Sequence, residues 1–390
     1  MPPTRVSINP DLLVGEDNKQ RWNQPEHRRH GFHNAHHLMR RMLMIRSRHV
    51  LDLIDDPQII EDRVEGLREL VEHPAFSALI CVQGNRIVYE RCAADFSTRQ
   101  PHSIQSVTKL HVHLIVGRLV EQGLLDLDQP VRHYLPEIGS GYADAPVQGL
   151  LDMAIDNDFS EDYSDPLSDC YSEEIALGWR LPPEGEAEIS LSDFAGKITG
   201  YRPGATMGAI AYKSANTDVL TLICQAVCPH PLSAEIEAIA DAVGYEGAFH
   251  ISLSPDQHPA FSGGGCLSAR DLARFGLLFA RQGRDIHGAP FASTNFLRRS
   301  LSRPALTMSP PKDWLRYSNH IMTDGRLVGH AGYGGQFLMV DTETEMSCAF
   351  QSVLENEQGY DEAYMARTAG VLRKICLVGI DNLKPPDSDG

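Results

Sequence analysis

Two groups of apolar strands, one near each end of the chain, constrain the fold of this 390-residue sequence more than any other feature. Residues 76–91, FSALICVQGNRIVYER, read as two strands joined at Gly84-Asn85, a dipeptide suited to a tight hairpin turn. Residues 326–341, RLVGHAGYGGQFLMVD, and 345–353, EMSCAFQSV, form the second group. Between the groups the pattern turns helical. Distant strands that share one sheet imply a mixed α/β domain, an antiparallel sheet flanked by helices, with a helical region inserted into it. The expected division is an α/β domain from 1–101 and 251–390, with an N-terminal arm over 1–50. The inserted, mostly helical region then spans 102–250.

Within this frame the periodicity predicts a surface helix over 58–72 and a short helix over 147–157. Residues 158–169, DFSEDYSDPLSD, read as a polar loop, and 190–212 as irregular chain. Residues 214–227 read as a buried helix with Ser214 or Asn216 as a candidate cap. Ser268 and Asp271 form a capping box that opens the next helix, and the last helix covers 360–378.

The formal net charge of -17 argues against nucleic acid or an anionic membrane as partner, and no apolar run reaches the length of a membrane span. The expected ligand is a small molecule, with a homodimer as a possible assembly. Eight cysteines lie scattered without a C-x-x-C pair, which fits buried free thiols. The first twenty residues have no apolar signal core, so a cytoplasmic location is expected. Residues 17–48 are rich in histidine (His27, His30, His33, His36, His37), but Gly31 interrupts the run and no cysteine accompanies it. A surface arm anchored by Trp22, Phe32 and Leu38 is expected there, with no metal and no cofactor.

The chemistry centres on Ser106-Val107-Thr108-Lys109, which opens the apolar helical run that follows. On a helix, residues three apart are neighbours, so a hydroxyl lies beside an amine. A lysine at a buried helix end loses hydration, which favours its neutral form, and a neutral amine beside serine can make a nucleophile. A second Ser-x-x-Lys, Ser309 to Lys312, contains Pro310 and Pro311 and cannot be helical.

Two further stretches complete a pattern. One is Tyr212-Lys213-Ser214-Ala215-Asn216-Thr217-Asp218, and the other is His330-Ala331-Gly332-Tyr333-Gly334-Gly335-Gln336. With Ser106 and Lys109 they resemble the three motifs of the serine β-lactamase and penicillin-binding-protein hydrolases, of β-lactamase/transpeptidase-like fold. Glu161-Asp162-Tyr163-Ser164-Asp165-Pro166, the triple glycine at 263–265 and the arm residues Arg21-Trp22 make the chain most similar to the 6-aminohexanoate-dimer hydrolase branch. The similarity runs from about Gln20 to Gly370.

The resemblance implies Ser106 as nucleophile, Lys109 as its base, and Tyr212 as the group that returns a proton to the leaving group. It implies Tyr163 as a contact for an amide leaving group, and the main-chain N–H groups of Ser106 and Tyr333 as an oxyanion hole beside Gly332. His330, Ser214 and Asn216 fall within the motifs and are candidate substrate-binding residues. Two positions depart from the pattern. Leu110 follows the motif lysine, and His330 stands where the lactamases carry lysine, which argues against a β-lactam substrate. The expected activity is hydrolysis of a small amide or ester through an acyl-enzyme on Ser106. The alternatives are transfer of the acyl group to an amine or alcohol, and a non-catalytic sensor. Acids near Tyr163 (Asp156, Asp158, Glu161, Asp162, Asp165) hint at an amine-bearing substrate.

Overall fold

The computed structural model describes residues 18–204 and 210–378. The hairpin forms as expected, with strands Phe76–Gln83 and Arg86–Cys92 around Gly84, whose φ is 61°. Met346–Ser352 pairs antiparallel with Phe76–Gln83, so the two ends of the chain share one sheet. From edge to edge the strands run Ile54–Asp55, Arg86–Cys92, Phe76–Gln83, Met346–Ser352, Gln336–Asp341, Leu327–Gly332, Ile321–Thr323, Arg316–Ser318 and Leu306–Thr307. All neighbours are antiparallel except the first pair.

The central strands are buried on both faces, and their side chains divide by the two-residue period of a strand. Ala78, Ile80, Val82, Leu338, Val340 and Ala349 join one core cluster, against the helix Ala269–Ala280. Leu79, Cys81, Phe337, Met339, Cys348 and Phe350 join the other, against the helix Glu362–Val378. Ser268 caps the first of these helices by accepting from Asp271 N–H, the predicted capping box. All eight cysteines are free thiols.

A second, four-stranded sheet positions the reactive segment. Its order is Met42–Ile45, Phe249–Ser252, Gly265–Leu267, His102–Ser103. His102–Ser103 leads straight into Ser106. This sheet straddles both expected domain boundaries, 101/102 and 250/251, so the helical region is sewn to the α/β part there and does not hang from a linker. Inside the helical region, Leu110–Glu121 runs through the core, packed against Ser214–Val227, Leu232–Val243 and Thr294–Ser302. His111 is stacked 4.4 Å from both Phe249 and Phe275, and burial pushes its pKa down to about 4, so it is a neutral core group.

The helix expected over 147–157 ends at Leu151, and two further expectations fail for physical reasons. The predicted helix over 58–72 is confined to Leu67–Val71. Upstream of it the main chain bonds to the hairpin edge, Asp56 N–H to Ile87 O and Gln58 N–H to Val88 O, and Gly66, at a left-handed φ of 84°, breaks the run just before Leu67. The supposedly irregular 190–212 stretch contains a helix, Leu191–Lys197, opened by Ser190 accepting from Asp193 N–H. Residues 205–209 of that stretch lie outside the described residues.

The arm is the helix Pro25–Leu38 preceded by a short turn of helix, Asn18–Trp22. Phe32 is fully buried, edge-on to Trp22 at 5.9 Å and 6.1 Å from the Tyr333 ring. Arg28 is buried as well and donates to the carbonyls of Asn23, Leu354 and Asn356, which ties the arm to the end of the last strand. Because the arm is part of the core, Phe32→Ala is expected to lower the unfolding free energy by about 3–5 kcal/mol. An unchanged denaturant midpoint would show that the arm contributes no core packing.

Candidate active site

Ser106 sits in a 3-10 turn, Gln105–Lys109, that continues as the helix Leu110–Glu121. Gln105, just before it, has a φ of 47°, left-handed for a residue that bears a Cβ. Its surroundings hold it there. Gln105 Nε2 donates to Ser103 Oγ at 2.7 Å, and Thr108 Oγ1 donates to Gln105 O at 2.6 Å. Thr108 Oγ1 in turn accepts from Gly265 N–H at 3.2 Å. Gly265 must be glycine here, because a Cβ would stand 2.7 Å from Thr108 Oγ1. The middle strand of the small sheet therefore clamps the serine turn.

Lys109 is fully buried. Its Nζ lies 3.1 Å from Ser106 Oγ, 3.1 Å from Ser214 Oγ and 2.5 Å from Ser262 O. The Tyr212 ring centroid is 5.2 Å away. The Tyr212 hydroxyl makes no hydrogen bond to a described residue; its ring packs edge-on to Tyr317. Ser214 is the first residue of the helix Ser214–Val227, whose cap is Lys213, so Ser214 and Asn216 are not caps. Ser214 Oγ donates to Glu161 Oε1 at 2.8 Å, and Ser214 N–H donates to Glu161 Oε2. The Tyr163 hydroxyl donates to the same Oε1 at 3.1 Å.

Below this group lies a buried carboxyl pair. Glu173 and Asp218 are within hydrogen-bonding reach of each other. With both ionised, Glu173 Oε1 would have no donor and Asp218 at most the Ser262 hydroxyl. Burial pushes the pKa of each carboxyl above its ordinary value, and a proton shared between them resolves the conflict.

Ser106, Ser214, Tyr163 and Tyr333 line one cleft. Gly332 brings in the end of the strand Leu327–Gly332. A Cβ there would stand 2.8 Å from Ile104 O, so only glycine lets the strand pass the serine turn this closely and seat Tyr333 beside Ser106. The opposite wall is Trp179, Glu174 and Lys19, the last reaching in from the arm. The Lys19 ammonium is 2.5 Å from Glu174 and 4.6 Å from the Trp179 ring centroid. Arg180 also bonds Glu174, at 3.1 Å. The enclosed volume is about 30 Å³, room for water-sized groups only.

Two candidate binding residues stand away from the cleft. His330 is buried in its strand, with Nε2 3.0 Å from the Tyr317 hydroxyl and Nδ1 2.6 Å from Ala331 O, and burial holds its pKa well below the ordinary value. Asn216 accepts from the Tyr142 hydroxyl at 2.9 Å. Of the acids near Tyr163, Asp156 and Asp158 are engaged by Arg202, and Asp162 and Asp165 hold their own turn. Glu161 differs from these in bonding two residues that line the cleft, Ser214 and Tyr163. Glu161 is visible in sequence as the residue two before Tyr163, whereas Glu173, Glu174, Trp179 and Lys19 carry no sequence signal. The arm histidines do not converge: His33 bonds Ser77 and His36 stacks on His37. Among the described residues, metal-ligand geometry occurs at Cys228, His230 and Glu235, beyond the far end of the Ser214–Val227 helix.

The Beta-lactamase family model matches residues 67–369. A 6-aminohexanoate-dimer hydrolase of Paenarthrobacter ureafaciens is 29% identical over 280 residues, covering 68% of each chain. Among solved structures, a candidate 6-aminohexanoate-dimer hydrolase from Bacillus anthracis superposes with a TM-score of 0.79 at 18% identity, over 95% of this chain and 98% of that one. EstCE1, described as a hydrolase with promiscuous acyltransferase activity, superposes at 0.57 with 16% identity, over 80% and 98%. With Ser106 beside the buried Lys109 and the family match spanning most of its length, the chain belongs to the Beta-lactamase family and is a serine hydrolase.

Proposed function

We propose that this enzyme cleaves a small amide, or the corresponding ester, through an acyl-enzyme on Ser106. The observation that carries the reading is the buried Lys109 amine 3.1 Å from Ser106 Oγ at the edge of a cleft. In this reading Ser106 Oγ attacks the carbonyl carbon while its proton passes to the Lys109 nitrogen. The carbonyl oxygen becomes an oxyanion that the main-chain N–H groups of Ser106 and Tyr333 stabilise, by about 3–4 kcal/mol per donor. Tyr212 gives its phenolic proton to the leaving group as the carbon–nitrogen bond breaks, and Lys109 returns a proton to Tyr212. Water then enters, loses a proton to the same set, and restores Ser106 with release of the acid. Support for Tyr212 is its ring beside Lys109 and a hydroxyl that no described residue holds. The 6-aminohexanoate-dimer hydrolase relative supports a small amide as the bond cleaved. His330, tied to Tyr317, offers no cation to a β-lactam carboxylate.

The corner made by Glu174, Trp179 and Tyr163 already holds a primary ammonium, that of Lys19. The corner is thus shaped for an ammonium, and a substrate or acyl acceptor that carries an amine would take it by displacing Lys19. EstCE1, described as a hydrolase with promiscuous acyltransferase activity, supports acyl transfer as the second reading.

Intact-mass spectrometry with an activated short-chain ester tests the core of the proposal. A transient acyl adduct with product release is expected on the wild type, and neither on Ser106→Ala. Equal turnover by both proteins would end it. Lys19→Ala tests the ammonium corner. The KM for an amide bearing a terminal ammonium should fall several-fold relative to its uncharged analogue, and a parallel change in both would reject an amine site there.

The carboxyl pair predicts a pH dependence. Below about pH 4 both groups are protonated, folded or unfolded. As the pH rises above about 4, the unfolded chain releases both protons while the buried pair resists, so the pair's contribution to stability is lost. An amide in place of the Asp218 carboxyl would have no proton to lose. The melting temperature of Asp218→Asn minus that of the wild type is therefore expected to grow between about pH 4 and pH 7. A constant or shrinking difference would mean that the pair ionises like surface carboxyls.

A further inference from the structure

We propose that Glu161 is a positioning residue that fixes the direction of proton transfer between Ser106 and Lys109. The proposal rests on the assignment of Ser106 as nucleophile and Lys109 as base, and it concerns how the lysine is aimed.

The reasoning is a count of donors and acceptors. An ionised carboxylate only accepts. Glu161 Oε2 takes the N–H of Ser214, a helix-start donor with no partner inside its own helix. Glu161 Oε1 faces the Ser214 hydroxyl at 2.8 Å, so Ser214 commits its one proton to Glu161. What Ser214 Oγ then presents to Lys109, 3.1 Å away, is a lone pair. Ser262 O, 2.5 Å from Nζ, is a carbonyl and also only accepts. A neutral amine has two N–H bonds and one lone pair. When Lys109 acts as the base of the proposed reaction it must be such an amine; its two N–H bonds are then taken by Ser214 and Ser262, and the lone pair is left for the third neighbour, Ser106 Oγ, 3.1 Å away. That is the polarity a base needs to take the serine proton. Were the Ser214 hydroxyl to turn and donate to Lys109, it would compete for that lone pair, and an N–H would face Ser106 instead.

Glu161 is thus the group that keeps Ser214 from turning. The Tyr163 hydroxyl, on the same Oε1, links this lock to the loop that walls the cleft. Neither Ser214 nor Glu161 loses or gains a proton in the proposed step. The proton leaves Ser106 and arrives on Lys109, and the two residues determine only which way the amine faces.

Glu161→Gln is the informative change because it keeps the shape and reverses one donor. The Ser214 N–H requires an acceptor, so the amide oxygen goes there and the amide NH₂ faces Ser214 Oγ. Ser214 then accepts from the new amide and its proton turns toward Lys109. Glu161→Asp keeps two acceptors. The measurement is the acylation rate constant with an activated ester, read by rapid-quench intact mass, beside KM and melting temperature. Acylation by Glu161→Gln is expected to fall by about 100-fold, in the range that a general base contributes, with KM within about threefold of wild type. Glu161→Asp should recover to within about tenfold of the wild type.

A cycle with Ser214→Ala separates aim from packing. Because Glu161 acts through the Ser214 hydroxyl, Glu161→Gln should cost little further in the Ser214→Ala background. The proposal is overturned if Glu161→Gln acylates within about threefold of wild type, if Glu161→Asp is the worse variant, or if the Gln change costs its full amount without the Ser214 hydroxyl. Should Glu161→Gln not fold, Ser214→Ala alone decides: an unimpaired acylation rate overturns the proposal, and a loss of about 100-fold upholds it. Ser106→Ala, run in parallel, identifies failure of the underlying assignment: acylation that survives it condemns the serine reading, whatever Glu161 does.

Discussion

A lysine amine shut away from water is the constraint on which the site depends. Lys109 is fully buried, and a buried amine must satisfy its hydrogen-bonding capacity within the protein or destabilise the fold. Its three neighbours come from three separated parts of the chain: Ser106 from its own turn, Ser214 from a helix start, and Ser262 from the segment before the triple glycine. The requirement to solvate one nitrogen therefore aligns the serine turn, the second motif and the edge of the small sheet. The left-handed Gln105 and the clamp of Thr108 on Gly265 are local consequences of that alignment.

Around this nitrogen the acids fall into three electrostatic roles. Glu161 accepts from Ser214 and Tyr163 at the cleft edge. Glu173 and Asp218, deeper down, hold a proton because burial disfavours two charges side by side. Glu174 is satisfied by two cations, Lys19 and Arg180. A chain with a large negative excess thus keeps the interior of its cleft close to balance, and the surplus lies on turns where water solvates it.

Much of the fold is readable because it rests on local or periodic signals. The Gly84-Asn85 hairpin, the alternating strands at both ends and the Ser268 capping box each follow from residues close in sequence. The helix expected at 58–72 shrinks because its segment is held by main-chain bonds to a strand edge, which side-chain periodicity does not report. Ser106 and Lys109 are legible because their spacing is itself the chemistry. Lys19, Trp179 and Glu174 are not, since nothing in three separate stretches announces that an arm will fold back over a cleft. His330 and Asn216 show the converse: they sit in the right motifs, but their side chains turn to Tyr317 and Tyr142.

The pairing of Phe76–Gln83 with Met346–Ser352 has a temporal consequence. The ribosome delivers Ser106 in the first third of the chain and Tyr333, with the strand that seats it, in the last sixth. The arm that carries Lys19 emerges before Ser106 but is fastened by Arg28 to carbonyls at 354 and 356. Contacts of such long sequence separation close late. A nascent or truncated chain therefore holds its reactive serine without the wall and cover that complete the cleft, and the chemistry waits for the whole polypeptide.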